Sequence, residues 1–291
     1  MCIRDRFTSL STELGDDIPN NLASSSDQFN SLFGLFARDI PLAGDFDGNG
    51  QVEPAVVRGV RDNFFGGLFW FSLTDDGMAN TVQWGLTGDQ PFIDHFDADT
   101  KVDRVVVRDF GGGLFWFVLR SESAPILGEQ WGLSGDSAAT GDFNGDGVSE
   151  LVVSRVIAGQ LTWFIRSVDG SFVETIPWGL SNDVRMAPSD FDGDGVADLA
   201  VARSTQGLLT IFVRLATGEA EVFSFGLAND IPFFGFYESD EKAELSVYRR
   251  TFGLESRHFS RRNSSNLNST TAWGLFGDWF LPPGLLGVAP Q

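Results

Sequence analysis

The sequence predicts an all-β protein, a β-propeller of four-stranded antiparallel blades with five clear repeats of about 47 residues plus a partial sixth. Three markers recurring in one phase carry that prediction. WGL stands at Trp84, Trp131, Trp178 and Trp273, and FGL at Phe33 and Phe225, with steps of 51, 47, 47, 47 and 48 residues. An acidic loop begins at Asp45, His95, Asp142, Asp190 and Phe236. Thirteen residues after each of those starts comes an arginine: Arg58, Arg108, Arg155, Arg203 and Arg249.

Within one unit, residues 142–180, the acidic loop is followed by LVVSRV, a turn at AGQ, LTWFIR, a turn at SVDG, and FVETIPWGL. A short apolar segment before each loop, such as PLAG before Asp45, supplies the fourth strand. The runs are rich in Val, Phe, Trp and Ile and are bounded by Gly, Asp, Asn and Ser, the composition of short strands. Several, such as VVV at 105–107, are apolar on both faces, as expected of a sheet covered on both sides. The repeats run at about 37–86, 87–133, 134–180, 181–227 and 228–275, with the partial unit at 276–291. Residues 1–36 read as a truncated N-terminal segment able to contribute to a closing blade.

The bulk composition excludes several classes of function. A net charge of −20 disfavours nucleic acid and anionic membrane surfaces, both of which need a basic face. No run approaches the roughly 18–20 apolar residues of a transmembrane helix. Cys2 is the single cysteine, so no internal disulfide staples the fold. The opening MCIRDRFTSLSTELG lacks the apolar centre of a secretory signal and starts part-way through a unit, as expected of a truncated chain. A monomer is expected.

The loops carry the chemistry. Hard cations such as calcium take six to eight oxygen ligands, and alternate positions of a tightly curled loop can converge on one point. In the fourth loop Asp190, Asp192 and Asp194 stand at positions one, three and five, Val196 offers its carbonyl from seven, and Asp198 closes at nine around Gly195. The first loop offers Asp45, Asp47, Asn49, Gln51 (carbonyl) and Glu53, and the third Asp142, Asn144, Asp146, Val148 (carbonyl) and Glu150. The second keeps Asp97, Asp99 and Asp103 but has His95 first, Thr100 for the glycine and Lys101 at seven, which predicts weak binding or none. In the fifth, Phe236, Glu241 and Lys242 displace ligand, glycine and carbonyl positions, so Glu238, Asp240 and Glu244 are expected to hold no metal. About three calcium sites are expected, with a fourth, weak one at loop two.

GDFDGNGQVEPAVVR, GDFNGDGVSELVVSR and SDFDGDGVADLAVAR, each followed by a strand of the GxLxWF kind and then a WGL or FGL, resemble FG-GAP or VCBS-type repeats. These build bacterial extracellular propellers and, more distantly, the head of integrin alpha chains. The resemblance implies calcium in loops one, three and four, an extracellular or cell-surface setting, and a role in adhesion or ligand binding. It names no partner, which is left as an unknown protein or carbohydrate.

Other residues read as architecture. Trp70, Trp116 and Trp163 recur in one strand but give way to Ile211 and Arg257, which favours packing over a sugar-stacking platform. Aspartates five residues after WGL or FGL (Asp89, Asp136, Asp183, Asp230, Asp278) are expected to pair with the repeated arginines as a clasp between successive blades. Catalysis is not expected: His95 and His258 have no nucleophile in a repeated context, and no P-loop, GxSxG or zinc spacing occurs. The Asn263 and Asn268 sequons read as incidental. The alternatives are a carbohydrate-binding propeller module and the propeller part of a secreted glycoside hydrolase or polysaccharide lyase.

Overall fold

The computed structural model describes residues 39–60, 66–73, 79–235, 242–249, 257–261 and 268–272. These form twenty strands in five sheets, each strand hydrogen-bonded antiparallel to its neighbour in chain order. The first sheet is β1 (Asp39–Gly44), β2 (Glu53–Val60), β3 (Gly67–Leu73) and β4 (Ala79–Leu86). The second is β5 (Gln90–Asp94), β6 (Asp103–Phe110), β7 (Gly113–Leu119) and β8 (Ile126–Leu133). The third is β9 (Ser137–Gly141), β10 (Glu150–Ile157), β11 (Gln160–Arg166) and β12 (Val173–Leu180). The fourth is β13 (Val184–Arg185), β14 (Leu199–Thr205), β15 (Leu208–Arg214) and β16 (Ala220–Leu227). The fifth is β17 (Ile231–Gly235), β18 (Glu244–Arg249), β19 (Arg257–Arg261) and β20 (Asn268–Ala272). No sixth sheet occurs among the described residues. Residues 276–291, expected as a partial sixth unit, and 1–36, expected as a closing segment, lie outside them.

The described residues fall into two compact units, one reaching Arg108 and including Trp116–Gly128, the other holding Asp109–Phe115 and the chain from Glu129 onward. In the second unit the apolar faces of β10 and β11 close on those of β14. Val152, Leu161, Trp163, Ile165, Ile176, Leu199 and Val201 form one buried cluster. Val105–Val107 and Leu199–Ala202 are buried on both faces, because each second strand is covered on two sides. Trp70, Trp116, Trp163 and Ile211 are all buried, so the recurring Trp is core; the Arg257 side chain is outside the described set.

Tight hairpins join second to third strands. Ile157 pairs with Gln160 and Thr205 with Leu208, leaving Ala158–Gly159 and Gln206–Gly207 as two-residue turns with positive φ throughout. The WGL triplet is a bulge. Opposite Leu161 the pairing slips, so that Trp178 and Gly179 face one residue, and Gly179 takes φ +104. A Cβ there would stand 3.1 Å from Leu161 and from Val201 of the next sheet, which reserves the position for glycine. The tryptophan beside it turns its indole N–H outward to a neighbouring sheet. Trp84 donates to Phe117 O, Trp131 to Phe164 O and Trp178 to Phe212 O, at 3.2–3.4 Å.

Candidate metal centre

The acidic loops connect the first and second strands of their sheets, and in loops one, three and four the aspartate that starts the loop curls the backbone around its own carboxylate. Asp45 Oδ1 accepts the N–H of Gly48 and Oδ2 that of Gly50, at 2.6 and 2.7 Å. Asp142 repeats this with Gly145 and Gly147, and Asp190 with Gly193 and Gly195. The fifth-position side chain then holds the seventh-position N–H: Asn49 to Gln51, Asp146 to Val148, Asp194 to Val196. Glycine at positions four and six permits the positive φ of the curl, +81 at Gly193 and +86 at Gly195.

Two of the loops gather carboxylates. One ligand oxygen from each of Asp45, Asp47 and Glu53 lies within 4.8 Å of the others, and the same holds for Asp190, Asp192 and Asp194. These are the only such groups among the described residues. An all-oxygen donor set of this kind fits a hard divalent cation. In loop three the set is not drawn together. The Asn144 side-chain nitrogen donates to Glu150 Oε1 at 2.8 Å, so an internal hydrogen bond stands where the other loops have two acids.

The ninth-position acid has a role the sequence reading missed. Glu53, Asp103, Glu150, Asp198 and Glu244 are all at most 2% exposed, in complete and degenerate loops alike. Four of them accept the N–H of the second loop residue: Glu53 from Phe46, Asp103 from Phe96, Glu150 from Phe143 and Asp198 from Phe191, at 2.7–2.8 Å. Asp198 Oδ1 also takes the N–H of Ala216, beyond the end of β15, and Asp103 Oδ1 that of Ser121, beyond β7. This carboxylate is therefore a backbone anchor, whatever else it binds. Burial first, then the neighbouring acids Asp142 and Asp146, lifts Glu150 to about 7 against the pull of its N–H donors. Asp198 rises to about 7 by burial and the charges of Asp192 and Asp190. Asp103 is raised as well, chiefly by burial.

Loop two spends Asp99 and Asp103 on protein, while Asp97 keeps one buried oxygen without a partner among the described residues. Asp99 accepts Ser121 Oγ–H and the Lys101 N–H, while Lys101 Nζ pairs with Glu122. His95 lies beside Asp94, whose hydrogen bond raises the imidazole above its ordinary range despite partial burial. In loop five the expected positions Phe236, Glu238, Asp240 and Glu241 lie outside the described residues; Lys242 and Glu244 lie within them.

The repeated arginine does meet the repeated aspartate. Arg108 Nε and Nη2 reach Asp89 at 2.8 Å each, Arg203 reaches Asp183 at 2.6 and 2.7 Å, and Arg249 reaches Asp230 at 2.7 Å twice. Arg155 bonds Asp136 through Nη2. Each aspartate also accepts the N–H of the last residue of the preceding sheet: Leu86, Leu133, Leu180 or Leu227. The clasp is thus three-cornered, with the arginine lying 4.7 Å over Phe117 or Phe212 at its far side. Arg58 takes Asp39, six residues after its FGL rather than five, a partner the fixed spacing overlooked. Asp278 lies outside the described residues.

Four-stranded antiparallel blades, each entered through an acidic loop, define a repeat protein of propeller-type blades. Residues 142–201 match the family model of the FG-GAP-like repeat. None of the curated proteins matches the chain. A crystal structure of a protein from Lactobacillus plantarum is similar at 10% identity over 85% of this chain and 98% of that one, with a TM-score of 0.38, too slight a likeness to carry an inference. Among the described residues no helix is long and apolar enough to cross a membrane.

Proposed function

We propose that the chain is a non-catalytic, calcium-stabilised repeat protein that works outside the cell or at its surface, in adhesion or ligand binding. The observation that carries the metal part is the convergence of Asp45, Asp47 and Glu53, and of Asp190, Asp192 and Asp194, within 4.8 Å. Two carboxylates about 4 Å apart repel by roughly 4 kcal/mol at an effective dielectric near 20, and a bound divalent cation offsets that cost. Asp45, Asp47, Asn49, Glu53 and the Gln51 carbonyl would hold one ion. Asp190, Asp192, Asp194, Asp198 and the Val196 carbonyl would hold a second, since the hydrogen-bonded Asp198 oxygens keep a lone pair each. A third site, at Asp142, Asn144, Asp146, Val148 and Glu150, needs the Asn144 amide to turn its oxygen inward. When bound, calcium supplies positive charge and a cross-link between the loop and the strand that follows it.

The extracellular setting and the adhesive or ligand-binding role rest on the FG-GAP-like repeat and on the family resemblance. A sugar platform loses support from the tryptophans: Trp70, Trp116 and Trp163 are buried, and Trp84, Trp131 and Trp178 spend their indole N–H groups on backbone carbonyls. Calorimetric titration of the chelator-treated chain is the test. Calcium uptake at about three sites, with a raised melting temperature, is expected; a flat isotherm and an unchanged melting temperature at matched ionic strength would overturn the metal reading. A glycan array run with and without calcium tests the ligand class.

A further inference from the structure

Loops one, three and four are each overlain by the loop of the following sheet. The seventh residue of the later loop lies across the fourth-position glycine of the earlier one. A Cβ on Gly48 would stand 3.0 Å from Lys101 Cγ, one on Gly193 2.9 Å from Lys242 Cε, and one on Gly145 3.2 Å from a Val196 methyl. The third-position residue beside that glycine varies in step. Asp47 and Asp192 precede the glycines that the lysines cross, whereas Asn144 precedes the one that Val196 crosses. Lys101 is held first by Glu122 and then feels Asp99 and Asp47, while Lys242 acts on Asp192 against the burial and the neighbouring Asp194 and Asp190 that raise it. Lys101 and Lys242 thus cross loops with an acid at position three, and Val196 one with an amide; Val148, at position seven of loop three, follows a loop with Asp97 at position three.

We propose that Lys101 and Lys242 are built-in counter-ions, lent by degenerate loops two and five to the acidic clusters of loops one and four. Loops that lost their own ligands have thereby acquired a task toward a neighbour. The shielded clusters keep their curl without metal and bind a divalent cation more weakly than their carboxylates alone would. Loop three has no such lysine and meets the same problem with the Asn144–Glu150 hydrogen bond. The statement about cation affinity rests on the calcium reading above; the charge pairing does not.

The test is a double-mutant cycle on the full chain, in chelator at low salt, read as melting temperature. Lys101→Met keeps the aliphatic stem over Gly48 and removes the charge; Asp47→Asn removes the partner. Lys101→Met alone is expected to lower the melting temperature, Asp47→Asn to abolish most of that loss, and Lys101→Arg to avoid it. A parallel cycle with Glu122→Gln separates the Lys101–Glu122 ion pair from the pairing proposed here. Additive effects of Lys101→Met and Asp47→Asn, or of Lys242→Met and Asp192→Asn, would overturn the proposal. In calorimetry with calcium alone, each lysine variant is expected to tighten one site by about three- to fivefold, the scale of a partly exposed charge pair. If the unaltered chain takes up no calcium, the calcium reading falls while the cycle in chelator still decides the counter-ions.

Discussion

Asp103 Oδ2 accepts the N–H of Phe96 at 2.7 Å inside a loop whose first position is a histidine. With Ser121 N–H on its other oxygen and no exposed surface, this carboxylate ties two segments of backbone together. Asp103→Ala leaves two buried donors unpaired and is expected to cost about 2–4 kcal/mol in urea unfolding. Calcium stoichiometry should be unaffected. A loss of one calcium without a loss of stability would show that the residue is a ligand and not an anchor.

The raised carboxyls set a pH dependence. Glu150 and Asp198 lie at about 7 in the folded chain, lifted by burial, against near 4 when unfolded. Between those values the folded state keeps protons that the unfolded state has released, so stability falls as pH rises from about 4 to about 7. In chelator the melting temperature should therefore be higher at pH 5 than at pH 8. Saturating calcium, which favours the ionised acids, should flatten or invert that slope. A chelated protein more stable at pH 8 would contradict the assignment.

The clasp gives a third expectation. Burial acts to raise the Asp183 pKa, but the hydrogen bonds of Arg203 and Leu180 and the Arg203 charge outweigh it and hold the group low. Arg203→Ala is expected to destabilise by about 1–3 kcal/mol, through a weakened buried hydrogen-bond pair. Arg203→Lys should recover only part of this, because lysine lacks the planar fork and its stacking on Phe212. The contribution depends on an ionised Asp183, so it is present near neutral pH and is lost as pH falls through the lowered folded pKa. Acid titration of both variants by near-UV circular dichroism checks it.

Two glycines with the same sign of φ should respond differently. Gly195 has φ +86 and open space where a Cβ would go, so Gly195→Ala carries backbone strain alone, about 1–2 kcal/mol. Gly179, in the WGL bulge, would press a methyl on Leu161 and Val201, and Gly179→Ala is expected to cost about 2–4 kcal/mol. Equal melting temperatures for the two variants would reject the close-approach account.

Strand phase, the curled acidic loops and the Arg108–Asp89 type of pair were legible because each is a local marker repeated in step. Asp39 was missed because the stretch FGLFARD carries one residue more than its sister turns, and a fixed offset passes over it. The anchoring role of Asp103 was hidden for another reason. Position nine looked like a leftover ligand, and only its burial shows a role that loop two, without a complete ligand set, still needs. The WGL glycine likewise owes its identity to Val201, in a different sheet. Lys101 and Lys242 read as damage to their own loops, since their effect falls on residues about one repeat earlier.

The loop-to-loop hydrogen bonds give the array a direction. Val102, Ala197 and Ala243 each donate an N–H backward, to the carbonyls of Asp45, Asp142 and Asp190 at 2.6–2.8 Å. Loops one, three and four are thus each completed by the repeat that follows. Removing the fifth repeat strips the Ala243 donor from Asp190 of loop four, whereas removing the first two repeats leaves the Asp142 carbonyl of loop three still met by Ala197. Damage to one repeat is felt upstream, toward residues the ribosome has already made.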